Sequence, residues 1–475
     1  MRAPVVALGS AIVACALAHE ARADVAVDGQ VTGSATVGVT DNVANTPTPA
    51  ADAPAGTPTP EADGFGTVSP AAELQLETAD ATQTIGYVFS YTFYFAHPEA
   101  NTVQNSLAYG LRAPVSDRTT FLMGLTASQT NVATFNLATA SAVTPIGGNA
   151  GGNNLLFTLA ASQGVESELS ETVLFTETLG GQFSQTIVDE AEDQKTILGS
   201  LGFGLTKTFE QNTLGGTLGT EAQVIPGTTP ATGEPTETSA QIVHHVGGDW
   251  GHQFDPDWST SLGAGVVVGY DAALGGTPVV HPTGHAAVTF HNERGDAALD
   301  YVHGAVPNVL LRQITLNDTV SLRGLLLLGA SGFDIGASGA FTATRSFISD
   351  AGIGSPGYAV LADAAIGWVP GASIVRLEAR YQFTRQFASP PDAAGFVALP
   401  ELSRHAGLFT VTFGWPGSPE AGGAAPFVSL PPPTVSPDFL QHQAPESERA
   451  VDQKEKEEKD HQEHEHETRG GAGSE

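Results

Sequence analysis

Charged side chains alternate with apolar ones near the C-terminal end of the chain. Between residues 373 and 386, one face of an extended strand carries Arg376, Glu378, Arg380 and Gln382, while the opposite face is apolar. An arginine that faces lipid at the bilayer midplane costs roughly 2–4 kcal/mol, so these groups are expected to face a polar interior. Such a row either creates an electric field across a pore or neutralises itself by pairing.

The same argument places further polar residues on the inner face of other strands. The candidate lumen-lining set is Arg323, Asp334, Arg376, Glu378, Arg380, Gln382, Arg404, His285, His291 and Asp300. Its four arginines would form a basic wall that creates a transverse field. In the alternative interpretation, Arg376, Glu378 and Arg380 satisfy one another in a plugged or narrow lumen.

Catalytic and metal-binding patterns are absent or weak. The C-terminal tail alternates His461, His464 and His466 with glutamates, which could hold a divalent cation loosely, but tails of this kind are usually just solvated. No serine–histidine–acid arrangement, phosphate loop or zinc motif occurs at a recognisable spacing. We therefore expect no catalytic residue, metal site or cofactor, and no enzymatic activity.

The net charge of −32 excludes a basic nucleic-acid-binding surface. Residues 24–415 contain twelve Lys and Arg against thirty-seven Asp and Glu. This excess of acid is typical of solvated loops and also suits cation binding. We expect no nucleic-acid partner.

The elements that would position these side chains alternate with a period of two residues, which indicates strands. Between Thr84 and Phe95, for example, one face is entirely aliphatic and aromatic. The predicted strands are 30–40, 67–78, 83–95, 103–112, 119–128, 154–162, 166–179, 196–207, 213–224, 239–250, 258–270, 283–292, 296–304, 318–328, 332–345, 358–368, 373–386 and 403–415. Strands 166–179 and 296–304 have the least regular alternation, so sixteen strands are the alternative.

The connections between these strands alternate in length. The long ones are 41–66, 129–153, 180–195, 225–238, 271–282, 305–317, 346–357 and 387–401, with one of medium length at 96–102. Short turns lie near residues 79–80, 114–117, 163–164, 210–212, 254–257, 293–295, 329–331 and 370–371. This asymmetry is typical of outer-membrane barrels, which have tight periplasmic turns and longer external loops. The sequence thus predicts an all-β, closed antiparallel up-and-down transmembrane β-barrel of about 18 strands, with both termini periplasmic.

Aromatic residues should gather at the two membrane interfaces of such a barrel. The predicted interface aromatics at the turn side are Trp250, Trp258, Trp368 and Trp415. Those at the opposite rim are Phe95, Tyr270 and Tyr358.

Three regions are predicted along the chain. Residues 1–23 resemble a signal peptide, with Arg2, an apolar stretch and an A-x-A site before Asp24. In the alternative interpretation Cys15, the only cysteine, is a lipidation site. Residues 24–415 form the barrel, and 416–475 form a Pro-rich, then charged, disordered periplasmic tail.

The N-terminal strand carries a family resemblance. The stretch Gly33-Ser-Ala-Thr-Val-Gly-Val-Thr-Asp-Asn-Val43, a long loop and then Val68-Ser-Pro-Ala-Ala-Glu-Leu-Gln-Leu76 resemble Gram-negative outer-membrane barrels found beside exopolysaccharide gene clusters. Val306-Pro-Asn-Val309 and Asn317-Asp318 are similar to their middle region. The resemblance implies a barrel and weakly suggests polysaccharide passage, and it implies no functional residue.

Three functions fit these observations: a porin-like channel for small solutes or saccharides, a barrel component of exopolysaccharide export, and a structural or adhesin-like surface barrel with a filled lumen. Loop 129–153 would separate them, because it constricts a pore if it folds inward. The expected partners are outer-membrane lipid and lipopolysaccharide, the barrel-assembly machinery, and a possible periplasmic partner for the tail.

Overall fold

The computed structural model contains eighteen antiparallel strands joined into one sheet. Their bounds are β1 Ala26–Thr40, β2 Asp63–Thr78, β3 Ala81–Tyr94, β4 Thr102–Ser116, β5 Thr119–Asn131, β6 Leu155–Ser170, β7 Val173–Ile187, β8 Gln194–Phe209, β9 Asn212–Ile225, β10 Ser239–Gln253, β11 Trp258–Asp271, β12 Val279–Asn292, β13 Gly295–Asn308, β14 Gln313–Leu327, β15 Phe333–Ser346, β16 Gly357–Trp368, β17 Val375–Gln386 and β18 Leu402–Trp415. Two short 3₁₀ turns occur at Pro98–Ala100 and Gly329–Ser331.

The structure describes residues 26–43, 46, 48–49, 59–131, 155–187, 194–227, 238–272, 276–308, 313–347, 356–371, 374–388 and 401–415. The predicted signal peptide, most of loop 129–153 and the tail 416–475 lie outside these residues. No helix in the described ranges is long and apolar enough to cross a membrane.

The sheet closes on itself because β1 pairs with both β2 and β18. The β1–β18 ladder runs from Val31 opposite Trp415 to Thr40 opposite Ala406. Within it, the hydroxyls of Thr36 and Thr410 are 2.9 Å apart on the inner face. The prediction of a closed up-and-down barrel with eighteen strands is therefore confirmed, and the alternative of sixteen strands is wrong.

The two ends of the barrel differ in their connections. At one end, the short-turn end, strands are joined by segments such as 79–80 and 210–211. At the other end, the loop end, the connections differ in length: the shortest is residues 309–312 and the longest is residues 132–154. The N-terminus of β1 and the C-terminus of β18 lie at the short-turn end, since Ala26 is opposite Glu77.

Two predicted long loops are shorter in the structure, since residues 180–187 lie in β7 and residues 305–308 and 313–317 lie in β13 and β14. One predicted short turn was wrong. The segment Gln163-Gly164 lies inside β6, and the turn follows Ser170. Gly164 is extended and leaves room for Leu122, whose Cβ is 3.6 Å from where a glycine Cβ would be. The break in alternation at Glu171 marked the true turn, because β7 begins at Val173.

The outer face of the barrel is apolar. Along each strand, alternate residues on one face are large, hydrophobic and exposed; on β1 these are Val27, Val31, Val37 and Val39. The other strands follow the same rule, with Leu201 and Leu205 on β8 as examples. An apolar surface of this extent on a closed barrel is the face that contacts lipid.

The motif Thr40-Asp41-Asn42-Val43 fastens the loop end of β1 to β18. The Asn42 side-chain amide donates to the carbonyl oxygens of Thr46 and Ser403 at 2.9 and 3.0 Å. The backbone N–H of His405 donates to Asp41 Oδ1 at 2.7 Å. The signature that carries the family resemblance thus has a structural role at the closure of the barrel.

We expect Asn42→Ala to weaken this closure. Asn42 is fully buried, and removal of its amide takes a donor from two part-buried carbonyl oxygens, which costs roughly 1–3 kcal/mol. Urea-induced unfolding in lipid vesicles measures the change. Asn105→Ala is the matched control, because Asn105 makes an exposed hydrogen bond to Tyr87. Equal effects of the two substitutions would contradict a closing role for Asn42.

Candidate functional site

All ten predicted lumen-lining residues lie on the inner face of the barrel. The inner face is defined by the ladder registers, because directly opposite residues share a face. Asp334 is opposite Gly367, and Arg323 is opposite Ser338. His285, Asp300 and Gln382 are half-buried, whereas His291 is exposed near the short-turn end. Residues of the set differ strongly in their access to solvent and in their partners.

Arg376 and Asp334 form a bidentate ion pair near the short-turn end. Arg376 Nη1 lies 2.5 Å from Asp334 Oδ2, and Nη2 lies 2.8 Å from Oδ1. Arg376 Nη2 also donates to Glu378 Oε2 at 3.2 Å. The Arg376 side chain is 1% exposed, so it faces its partners and not open water.

Arg380 extends this network along β17. Its Nε lies 3.0 Å from Glu378 Oε1 and 3.7 Å from Asp363 Oδ2. Two arginines therefore alternate with three carboxylates on β15, β16 and β17. This arrangement matches the interpretation in which Arg376, Glu378 and Arg380 neutralise one another.

Gly367 makes the network possible. It lies on β16 between Asp334 and Arg376, and a Cβ there would overlap the Arg376 guanidinium. The adjacent strands can therefore bring the ion pair across β16 only because that position carries no side chain.

The two remaining arginines of the set are in contrasting surroundings. Arg404 is 4% exposed at the loop end, where its Nε donates to Thr40 Oγ1 at 3.1 Å. Arg323 on β14 is exposed. The four arginines thus do not form one continuous basic surface.

Sequence reasoning missed most of the inward-facing acids. Strand residues on the inner face include fourteen Asp and Glu against five Arg. The acids are Asp28, Asp63, Glu73, Glu77, Glu166, Glu168, Glu221, Asp249, Asp271, Asp296, Asp300, Asp334, Asp363 and Glu378. The arginines are Arg112, Arg323, Arg376, Arg380 and Arg404. Strand parity was the signal that would have found these residues.

Inward-facing residues near the loop end are buried on most strands, whereas at the short-turn end several carboxylates outside the Arg376–Asp334 network are exposed. Buried inward-facing residues occur near the loop end of sixteen strands: Thr40, Phe65, Tyr94, Thr102, Leu156, Ser184, Thr196, Gln223, Val243, Val267, Asn308, Thr315, Thr344, Ala359, Thr384 and Leu402. Inward residues at the opposite end, such as Asp28, Glu77 and Glu168, are exposed. We interpret the burial near the loop end as a constriction of the lumen at that end.

The predicted interface aromatics all point outward at strand ends. Trp250, Trp258, Trp368 and Trp415 lie at the short-turn end, where Trp258 packs against Phe290 and Trp368 stacks on Phe333. Phe95, Tyr270 and Tyr358 lie at the loop end. The two groups stand at opposite edges of the apolar outer face.

Loop 95–101 is held at the loop end by an ionisable cluster. His97 Nδ1 lies 3.1 Å from Asp63 Oδ2, and His97 Nε2 lies 2.7 Å from Glu61 Oε2. The hydrogen bond to Asp63 raises the pKa of His97 above its ordinary value, and the charge of Glu61 adds to the effect. No group of three His, Cys, Asp or Glu side chains within the described segments is arranged to hold a metal ion.

The architecture defines a class: a closed antiparallel barrel with an apolar outer face is a β-barrel of the outer-membrane type. No protein-family model matches the sequence, and no curated protein matches it significantly. Among solved structures, it is similar to Pseudomonas aeruginosa OccK2 (OpdF), with 10% identity over 82% of this chain and 98% of that chain and a TM-score of 0.43.

Two further structures are similar to the same extent. The outer membrane protein opdK from Pseudomonas aeruginosa has 10% identity over 82% of this chain and 99% of its own, with a TM-score of 0.40. The FrpB iron transporter from Neisseria meningitidis has 7% identity over 82% and 83% of the two chains, with a TM-score of 0.44.

We expect Asp334→Ala to destabilise the barrel by about 3–5 kcal/mol, because it leaves the buried Arg376 charge without its main partner. Asp363→Ala is the matched control on the neighbouring strand. Its contact with the partly exposed Arg380 is longer, so a loss of about 1 kcal/mol or less is expected. Urea unfolding followed by tryptophan fluorescence measures both. Restoration of stability by Arg376→Leu in the Asp334→Ala background would support the assignment, and equal losses in the two single variants would refute it.

The pKa of His97 should be raised only while Asp63 is ionised and in contact. Titration of the imidazole carbon-bound protons by NMR should give a pKa above the ordinary value of about 6.5, and Asp63→Asn should lower it. Because the folded-state pKa is raised, the stabilisation of loop 95–101 is complete below the unfolded-state pKa and is lost as pH rises through the folded-state pKa. An identical titration in both proteins would contradict the contact.

Proposed function

We propose that this protein is an outer-membrane channel for small hydrophilic solutes, with a preference for cations and neutral molecules over anions. The observation that carries the proposal is the contrast between the two faces of the closed barrel. The outer face is apolar, and the inner face carries fourteen carboxylates among the strand residues. A barrel of eighteen strands encloses more space than its own side chains fill.

The proposed orientation places the short-turn end in the periplasm. Both ends of the strand-forming region lie at that end. Short periplasmic turns and long external loops are the arrangement typical of outer-membrane barrels. The wide, exposed end of the lumen would then open to the periplasm, and the constricted end would face the outside.

The excess of inner-wall carboxylates supports a preference for cations. A passage lined by one sign of charge concentrates the opposite sign, because low-dielectric walls focus the field. Arg376 and Arg380 do not offset the acids elsewhere, since each is already paired with carboxylates on its own or a neighbouring strand. The field inside the lumen is therefore proposed to be negative.

The constriction supports small solutes over a polymer. Export of a polysaccharide needs an opening that admits a sugar chain, and the inner wall near the loop end is buried on sixteen of the eighteen strands. The channel proposal needs only a narrow aqueous path. The adhesin-like alternative, which has a filled lumen, needs no aqueous path.

Liposome swelling with sugars of graded size tests the proposal. We expect the purified barrel to admit monosaccharides and to exclude oligosaccharides. Uptake of long oligosaccharides would favour polysaccharide passage instead. Absence of uptake at every size, together with no ion conductance in planar bilayers, would rule out the channel and leave the filled barrel.

The cation preference can be tested on Glu73→Gln combined with Asp249→Asn. Both carboxylates face the lumen and are half-buried, so their removal should lower the cation-to-anion permeability ratio about two-fold, because the field that concentrates cations weakens. Reversal potentials in a salt gradient measure the ratio. Glu177→Gln is the control, because Glu177 lies on the outer face opposite Phe203. An unchanged ratio in the double variant, or an equal change in the control, would contradict a charge-selective lumen.

A further inference from the structure

The ladder between β12 and β13 is incomplete at the loop end. It runs for nine residue pairs, from Asn292 opposite Gly295 to Gly284 opposite His303. Beyond that point β12 continues to pair with β11, and β13 continues to pair with β14. The two strands therefore separate while each remains a strand.

Proline and glycine explain why the ladder stops there. Pro282 on β12 and Pro307 on β13 lie in the two separated segments, and proline has no N–H to donate to a ladder. Gly284 on β12 and Gly304 on β13 lie at the fork, where a Cβ on Gly304 would meet nothing within 4 Å. The sequences of both strands therefore favour their separation at this point.

The loop-end parts of β13, β14 and β15 fold into the lumen. We name residues 304–308, 313–317 and 344–347 the inner flap. Ile314, Leu316 and Phe347 belong by strand parity to the outer face, yet each is 3% exposed or less and they form one buried cluster with Val243 and Val267. The last two residues lie on the inner face of β10 and β11. Outer-face side chains can meet inner-face side chains only if the flap lies inside the wall.

Direct contacts confirm this overlap. The backbone N–H of Ile314 donates to Gln241 Oε1 of β10 at 2.6 Å. The centroids of the Phe347 ring and the His281 ring of β12 are 5.0 Å apart. The Phe347 ring also covers Gly269 of β11, where any Cβ would overlap the ring. The flap therefore reaches across three strands of the inner wall.

A polar cluster at the base of the flap joins its three strands. Asp318 of β14 accepts from Arg345 Nη2 of β15 at 2.7 Å, and its other oxygen lies 2.7 Å from His303 Nδ1 of β13. The flap above this point is held against the wall by apolar packing and by hydrogen bonds that join Ile314 to Gln241 and the backbone of Phe347 to His281. The three segments of the flap also pair with one another, so they form one continuous unit above this base.

We propose that the inner flap is the gate of the channel and sets the largest solute that it admits. This inference rests on the proposed channel function. With the flap against β10–β12, the loop end of the lumen is narrow. Displacement of the flap toward the gap that it leaves between β12 and β13 widens the lumen, because the same three strands then return to the wall.

A reversible lock tests the gate. The variant Gly269→Cys/Phe347→Cys places two thiols where the ring now covers the glycine, and a short bis-methanethiosulfonate linker joins them. Cys15, the only cysteine of the sequence, lies in the predicted leader. The control Thr36→Cys/Thr410→Cys joins two opposite inner-face residues of the β1–β18 ladder with the same linker. Conductance in planar bilayers and uptake of graded sugars are measured before and after reduction.

We expect the linked flap to give a low conductance and reduction to raise it about two-fold or more, because pore width governs conductance. The control should not respond to reduction. A second variant, Phe347→Ala, should admit larger sugars than the unmodified barrel, whereas Phe341→Ala on the outer face of the same strand should not.

The outcomes separate this inference from the proposed function. If the unmodified barrel conducts but neither the linked flap nor Phe347→Ala changes its conductance or size limit, the gate is refuted and the channel stands. If the unmodified barrel is silent and Phe347→Ala conducts, the flap is the closed gate. If no variant conducts, both the channel and its gate are refuted.

Discussion

The fold depends on the need of every backbone N–H and C=O to find a partner where no water can reach. In this chain the need is met by closure, because β1 pairs with β18 as well as with β2. The Thr40–Val43 motif fastens that closure at the rim. Among the described strands, β12 and β13 part at the loop end, and there each strand remains paired on its other side. Closure and opening are therefore confined to different parts of the same sheet.

Electrostatics divides the inner wall into two kinds of surface. On β15–β17, carboxylates and arginines are matched closely enough that Arg376 is almost completely buried. Elsewhere acids such as Asp28, Glu77 and Glu168 face open space at the short-turn end. A buried, paired network contributes little field to the lumen but fixes three strands relative to one another. The exposed acids contribute field and little rigidity, so the residues that stabilise the wall and those that face solvent are different residues.

The strands and their two faces could be predicted from the sequence, because they depend on the local two-residue period. Contacts between strands that are distant in sequence could not. The alternation around Ile85 and Tyr87 indicated strand and face correctly, because a pleated strand buries one side only. The pair Arg376–Asp334 could not be found, since it depends on the register of three strands and on an absent side chain at Gly367. The inner flap could not be predicted from the sequence either. The sequence placed residues 305–317 in a long connection, and only the inward fold of the sheet brings Ile314 and Leu316 against the inner wall.

The vacant position beneath the Phe347 ring has a consequence for the proposed channel. Because Gly269 has no side chain, the ring rests directly on the backbone of β11. Any larger residue at this site would force the ring, and the strands behind it, away from the wall. If the flap gates the channel as proposed, one substitution at this position changes the size limit of the channel, while strand number, register and the lipid-facing surface stay the same.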